Sequence, residues 1–259
     1  MNFTTMIILP ILGFLIGLFV TIIGGGGGGL YTPILIMLGI DPQVAVASSL
    51  ATVLPTTAVG AYNHNKNNNV DIETGIILGV GGFIGTFIGG YIGTLIGAKL
   101  LKILFGVLFL TLALINLKNY IKEQRSKEKI EKKSHVKLTG YKKIFVPLFG
   151  VLGGILAGLF GLSGTPPIQL VLLMLGYNAT TVIGTTIFVL IFNSIGGICT
   201  YGFLGRIDLM LVVLLCSGTI IGAVIGPKVL NRINKEKLEK ALPHIQISLN
   251  LKFGVAMFI

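Results

Sequence analysis

Long apolar runs separated by short polar turns set the organisation of this chain. A helix needs about 20 residues to cross a bilayer. Runs of that order fall at 6–23, 44–62, 72–97 and 100–117. After a polar, basic segment they recur at 144–160, 180–201, 209–230 and, more weakly, 238–259. Two further runs, 31–39 and 168–176, are too short to cross, and each follows a glycine-rich stretch. The pattern predicts an all-α fold, a polytopic transmembrane helical bundle in which the short runs are re-entrant or broken segments.

The recurrence is an internal repeat. Gly39 of LIMLGI and Gly176 of LLMLGY stand 137 residues apart, and that offset holds without a gap from Pro10/Pro147 to beyond Gly85/Gly222. It pairs Gly13 with Gly150, Gly17 with Gly154, Gly24 with Gly161, Gly27 with Gly164, Asp71 with Asp208, and Ser48-Ser49 with Thr185-Thr186. Chance matching of apolar residues does not place glycines, an aspartate and a hydroxyl pair together. The units divide as 1–118, a linker at 119–143, and 144–259, whose last span is atypical. Secondary transporters are commonly built from such repeats, with the site where the halves meet.

Charge orients the units. Half of the 20 basic residues lie between Lys118 and Lys143, flanked by apolar spans, which reads as a cytoplasmic loop obeying the positive-inside rule. An even number of crossings per half would place Lys228, Arg232, Lys235, Lys237 and Lys240 outside, against that rule. An odd number, giving inverted halves, puts them inside and leaves Lys99 and Lys102 outside. Composition agrees with a lipid environment: 53% of the 259 residues are apolar and 11% charged, against about 25% charged in soluble domains. The net charge of +11 gathers in loops and forms no nucleic-acid-binding face. The segment 1–6 lacks the basic n-region of a signal peptide, so 6–23 reads as a retained helix. Cys199 and Cys216 sit in apolar stretches and are too few for a disulfide framework or metal site.

Candidate chemistry begins with six consecutive glycines, Gly24 to Gly29, ahead of Leu30-Tyr31-Thr32-Pro33; the other copy has Gly161-Leu162-Ser163-Gly164-Thr165-Pro166. Each glycine costs about 1 kcal/mol in a helix relative to alanine, so six predict a break. Broken backbone at membrane depth survives only where protein or a water-filled cavity satisfies it, and a helix starting there offers N–H groups to an anion. Gly24, Gly25, Gly26, Gly27, Gly28, Gly161, Ser163, Gly164 and Thr165 are therefore candidate binding residues. Close helix packing is the other role open to these glycines. The spaced Gly81, Gly82, Gly85, Gly89, Gly90 and Gly93 fit packing better. Neither stretch ends in G-K-[ST], as a phosphate-binding loop does.

A polar lining follows each break: Ser48, Ser49, Thr52, Thr56 and Thr57 in one copy, and Thr185, Thr186, Asn193 and Ser194 in the other. Ser48, Ser49, Thr52, Thr185, Thr186 and Asn193 are candidate ligands, although hydroxyls in helices also bond back to their own backbone. Asp71 and Asp208 follow polar loops and read as N-caps. His64, in Asn63-His64-Asn65-Lys66-Asn67, reads as solvated loop. No Asp, Glu, Lys or Arg falls deep in a confident span, which argues against a cation held by buried carboxylates and suits a small anion held by N–H and hydroxyl donors. The reading needs no cofactor, catalytic residue or metal ligand.

The doubled units, GGGGGGLYTP, and L-G-[IY] followed by AVASSLATVLPTTAVGAY resemble the sulfite exporter TauE/SafE family of membrane permeases, over 6–242. The resemblance implies movement, usually outward, of small sulfur-containing anions such as sulfite or organosulfonates across the cell membrane. The chain departs from the pattern in GLSGTPP, in Leu170 where the first copy has Pro33, and in a last span carrying Pro243, His244, Gln246, Asn250 and Lys252. Its partners on this reading are a small anion and the lipid bilayer, without nucleic acid; a homo-oligomer is compatible. Two other classes are open to the chain. Gly161-Leu162-Ser163-Gly164 also resembles the serine motif of rhomboid intramembrane proteases, but the only later histidine is His244. A non-transporting membrane scaffold is the third class.

Overall fold

The computed structural model describes residues 3–23, 28–125, 142–230 and 235–258, all of them helices and short connections. In chain order the helices are α1 (Phe3–Ile23), α2 (Gly28–Met37), α3 (Pro42–Lys66), α4 (Ile72–Leu95), α5 (Ala98–Arg125), α6 (Lys142–Phe160), α7 (Thr165–Met174), α8 (Ala179–Phe203), α9 (Leu209–Leu230) and α10 (Lys235–Ala256). Each apolar run of the sequence is thus a helix. Among the described residues α3, α4, α8, Ala98–Lys118 of α5 and Leu209–Gly226 of α9 are long and apolar enough to cross a membrane. Ile7–Val20 and Phe145–Phe160 are shorter apolar stretches, and α2 and α7 have ten residues each.

The helix ends follow from local sequence, and they recur 137 positions apart. Asp41 caps α3, taking the N–H groups of Gln43 (2.9 Å) and Val44 (3.3 Å), and Asn178 caps α8 through the N–H of Thr181 (2.8 Å). Asp71 accepts from Thr74 N at 2.9 Å and Asp208 from Leu211 N at 3.1 Å, as N-caps do. The short helices α2 and α7 end in one Schellman motif. Gly39 and Gly176 both have φ +83°, with Ile40 N–H bonding Leu35 O (3.1 Å) and Tyr177 N–H bonding Leu172 O (3.2 Å). Gln43 closes the other end of α4, donating to the carbonyls of Gly93, Thr94 and Ile96 at 3.1–3.3 Å. His64 departs from the loop expectation. It lies half-buried in the last turn of α3, because Asn67 caps that turn through N–H bonds to Asn65 and His64 carbonyls and its side chain bonds Asn63 O.

α4 explains what holds the bundle together. It buries Gly75, Gly79, Gly82, Gly85, Thr86, Gly89 and Gly93 and exposes Ile76, Val80, Ile84, Phe87 and Tyr91. Small residues inside and large apolar ones outside suit a helix solvated by lipid, where close backbone approach replaces the hydrophobic effect. Gly81, Gly85 and Gly89 lie against the carbonyls of Pro147, Val151 and Ile155 on α6, while Gly150, Gly154 and Gly158 lie against Leu78, Gly82 and Thr86 on α4. The same contacts join α1 to α9: Gly218 meets Pro10, Gly222 meets Phe14, Gly13 meets Leu215 and Gly17 meets Thr219, each 137 positions from its counterpart. The glycines that spacing assigned to packing do pack.

These contacts also give direction. Contacts advance together along both members of α4·α6 and of α1·α9, so each pair is parallel. Between α3 and α8, Gly60 faces Ile187 while Gly197 faces Leu50; between α5 and α10, Gly106 faces Phe258 while Gly254 faces Leu110. Those two pairs are antiparallel. With the tight α3–α4 and α8–α9 turns, this places the starts of α4, α6 and α8 on one face of the bundle and the starts of α3 and α9 on the other.

Candidate functional site

The second glycine stretch is a true break. α6 ends at Phe160, the N–H of Gly161 still reaches Ala157 O (2.7 Å), and the chain then turns through positive φ at Gly161 (+62°), Ser163 (+61°) and Gly164 (+73°). Glycine takes this region without strain; Ser163 does so as one of two described non-glycine residues. α7 then opens at Thr165, and Pro166 and Pro167, which lack N–H groups, fill its first turn, where no intrahelical N–H bond is lost. The turn folds α7 back along α6, so that Gly164 O and Ile168 pack on Gly153.

Three elements close on this break. From α8, Asn193 Nδ2 donates to Ser163 O at 2.9 Å, and Asn193 Oδ1 lies against Gly82 of α4. A carbonyl can only accept, so this bond fixes which end of the amide faces the break. From α2, Thr32 Oγ1 lies against Gly161 and donates to Ser49 Oγ on α3 at 2.9 Å. Gly29, at the start of α2, faces Leu162. The break of the second half therefore meets the short helix of the first. Thr32, Ser49, Ser163 and Asn193 are all at most 1% exposed.

The candidate residues divide accordingly. Gly161, Ser163, Gly164, Asn193 and Ser49 come together, and Thr165 opens α7 beside them with its hydroxyl buried and unpartnered among the described residues. Gly28 opens α2. Gly24, Gly25, Gly26 and Gly27 lie outside the described residues. Thr52 bonds back to Ser48 O at 2.8 Å, and Thr56 and Thr57 do likewise to Thr52 and Val53, so these hydroxyls are occupied by their own helix. Ser48, Thr186 and Ser194 are buried with no hydroxyl partner among the described residues. Thr185 is elsewhere: its hydroxyl accepts the Asp71 N–H at 2.9 Å, eight residues and about 12 Å along α8 from Asn193.

Sequence reasoning missed Thr32, whose signal was a hydroxyl three residues past the last glycine. It also missed Tyr177, whose oxygen bridges Asp71 Oδ2 (2.7 Å) and Thr74 Oγ1 (2.8 Å). Among the described residues the buried polar side chains are all Ser, Thr, Gln or Asn, and no cluster of His, Cys, Asp and Glu could hold a metal. The His244 ring packs on Tyr120 at 4.7 Å, between α10 and α5. The arrangement offers neutral hydrogen-bonding groups at a chain break inside a lipid-solvated bundle.

Comparison with known proteins supplies the family. The family model for the sulfite exporter TauE/SafE matches residues 9–252. The chain is 32% identical over 235 residues to the probable membrane transporter protein YdhB of Bacillus subtilis, covering 88% of this chain and 92% of that one. It is 25% identical over 273 residues to the probable membrane transporter protein MJ0441 of Methanocaldococcus jannaschii, covering 98% and 96%. With the probable membrane transporter protein YjnA of Bacillus subtilis it shares 25% over 249 residues, covering 93% and 97%. No solved structure matches. The chain belongs to the TauE/SafE sulfite exporter family and is a multi-pass membrane transporter, not an enzyme.

Proposed function

We propose that the chain carries small sulfur-containing oxyanions, such as sulfite or a short organosulfonate, out of the cell, and that the solute passes the break at 161–164. The observation that carries this reading is the meeting of that break with Thr32, Ser49 and Asn193, neutral groups with hydroxyl and amide donors and no buried charge beside them among the described residues. An oxyanion accepts hydrogen bonds from such donors, and groups ordered before it arrives lower the cost of binding. The family description names sulfite export.

On this reading 1–118 and 144–259 are inverted halves joined by a cytoplasmic linker, 119–143. The antiparallel pairing of α3 with α8 and of α5 with α10 supports inversion, because equivalent helices related by an axis along the membrane normal would run parallel. The test is flux of labelled sulfite, thiosulfate and methanesulfonate in proteoliposomes, with and without a proton gradient. Movement of at least one above protein-free vesicles is expected; a folded preparation that moves none of them refutes the proposal.

A further inference from the structure

The two halves share caps and packing, yet one polar cluster has no counterpart. At the start of α4, Asp71 Oδ2 accepts from the Tyr177 hydroxyl (2.7 Å), the Tyr177 oxygen accepts from Thr74 Oγ1 (2.8 Å), and the Asp71 N–H donates to Thr185 Oγ1 (2.9 Å). Asp71 and Thr74 belong to the first half, Tyr177 and Thr185 to the second. Moved by 137 positions, the four become Asp208, Leu211, Ile40 and Ser48. Asp208 keeps its capping bond to Leu211 N (3.1 Å), but leucine and isoleucine side chains offer no hydrogen bond, and the Ser48 hydroxyl has no partner among the described residues. One face carries a clasp across the halves; the equivalent positions on the opposite face keep the Asp208 cap alone, and Gln43 ties α3 to the end of α4 there within the first half.

The place of Tyr177 gives this difference a use. It directly follows Gly176, the left-handed cap of α7, and α7 is the short helix that leaves the break at Gly164. The clasp therefore pins the far end of α7 to α4. The matching end of α2 finishes at Gly39 and Ile40, beside a cavity of about 420 Å³ lined by Ile36, Met37, Gly39, Lys102 and Ala256. α2 is tied at its beginning instead, through Tyr31 to Thr219 (2.7 Å) and Thr32 to Ser49 (2.9 Å).

We infer that the Asp71–Tyr177–Thr185 cluster is a latch holding the α4-start face shut across the halves, and that access to the break opens first on the opposite face, at the end of α2, where Ile40 stands in place of Tyr177. The inference rests on the break being the solute's path. Losing a hydrogen bond to a charged group shifts a two-state balance about tenfold or more, and breaking one latch bond shifts the open–closed balance by that much.

The test reads access directly. Ser49→Cys, in a chain with Cys199→Ala and Cys216→Ala, is exposed to a membrane-impermeant thiol reagent from either face of oriented vesicles. Labelling from the α2-end face alone is expected, and Tyr177→Phe should raise labelling from the α4-start face about tenfold or more. Thr185→Val, which removes the acceptor of the Asp71 N–H, should act in the same direction and serves if Tyr177→Phe does not fold. The reciprocal pair Ile40→Tyr with Leu211→Thr should reduce labelling from the α2-end face. Unchanged labelling in folded Tyr177→Phe and Thr185→Val overturns the latch even where anion flux is intact. Failure of flux with changed labelling overturns the transported solute and leaves the latch standing.

Discussion

Asn193 Nδ2 meets the carbonyl oxygen of Ser163 at 2.9 Å, the bond by which α8 holds the left-handed turn between α6 and α7. Asn193→Leu removes it and leaves a buried carbonyl unpaired, at a cost of about 1–3 kcal/mol. Flux of the carried anion should fall at least about tenfold, the consequence of adding roughly 1.4 kcal/mol to the rate-limiting barrier. Proteoliposome flux of Asn193→Leu, normalised to folded protein, checks this. Full flux would remove Asn193 from the path.

Tyr177 links stability to alkaline pH. Burial is the main cause that pushes its phenol up to about 12 from 10.0, with Thr74 pulling down and Asp71 pushing further up. The folded chain therefore favours the neutral phenol. The stability this contributes is complete below about pH 10 and is lost as pH rises from 10 toward 12. Thermal unfolding in detergent should show the wild type above Tyr177→Phe at neutral pH, by about 1–3 kcal/mol, and the gap should shrink above pH 10.

Backbone packing makes a steric prediction with a built-in control. A methyl group at Gly154 would collide with Gly82 O on α4, whereas nothing lies within 4 Å of one placed at Gly97. Gly154→Ala should lose about 1–3 kcal/mol of stability, as overpacking does. Gly97→Ala should be near neutral. Unfolding of the two variants side by side decides the matter.

Inversion of the halves is checked by labelling. In the background lacking Cys199 and Cys216, Leu100→Cys should react with an impermeant reagent from outside the cell, and Lys237→Cys should not. Equal reaction at both positions would end the inverted arrangement.

Most of the helical plan was legible in the sequence because hydropathy and capping are local. Apolar runs give helix lengths, Asp41 and Asp71 mark starts, and Gly39 and Gly176 mark ends. The second break was legible for the same reason: Gly161 and Gly164 supply φ values that other residues resist. What was hidden is relational. Thr32 and Tyr177 look ordinary until the fold brings Gly161 to one and Asp71 to the other. Thr185 repeats Ser48 in sequence, yet it finds an N–H donor because a different helix start is its neighbour. Polar residues 63–66 misled in the opposite sense, since capping by Asn67 carries α3 one turn past its apolar run.

The carbonyl-to-glycine seams have a mechanical consequence. Each seam, α4 on α6 and α9 on α1, joins a helix of the first half to one of the second through glycines laid against backbone carbonyls. Any rearrangement that preserves both seams cannot swing one sequence half as a block against the other. Motion is left to what lies between two mixed-parentage struts, and there the short helices α2 and α7 are held by a few side-chain hydrogen bonds rather than by a backbone seam.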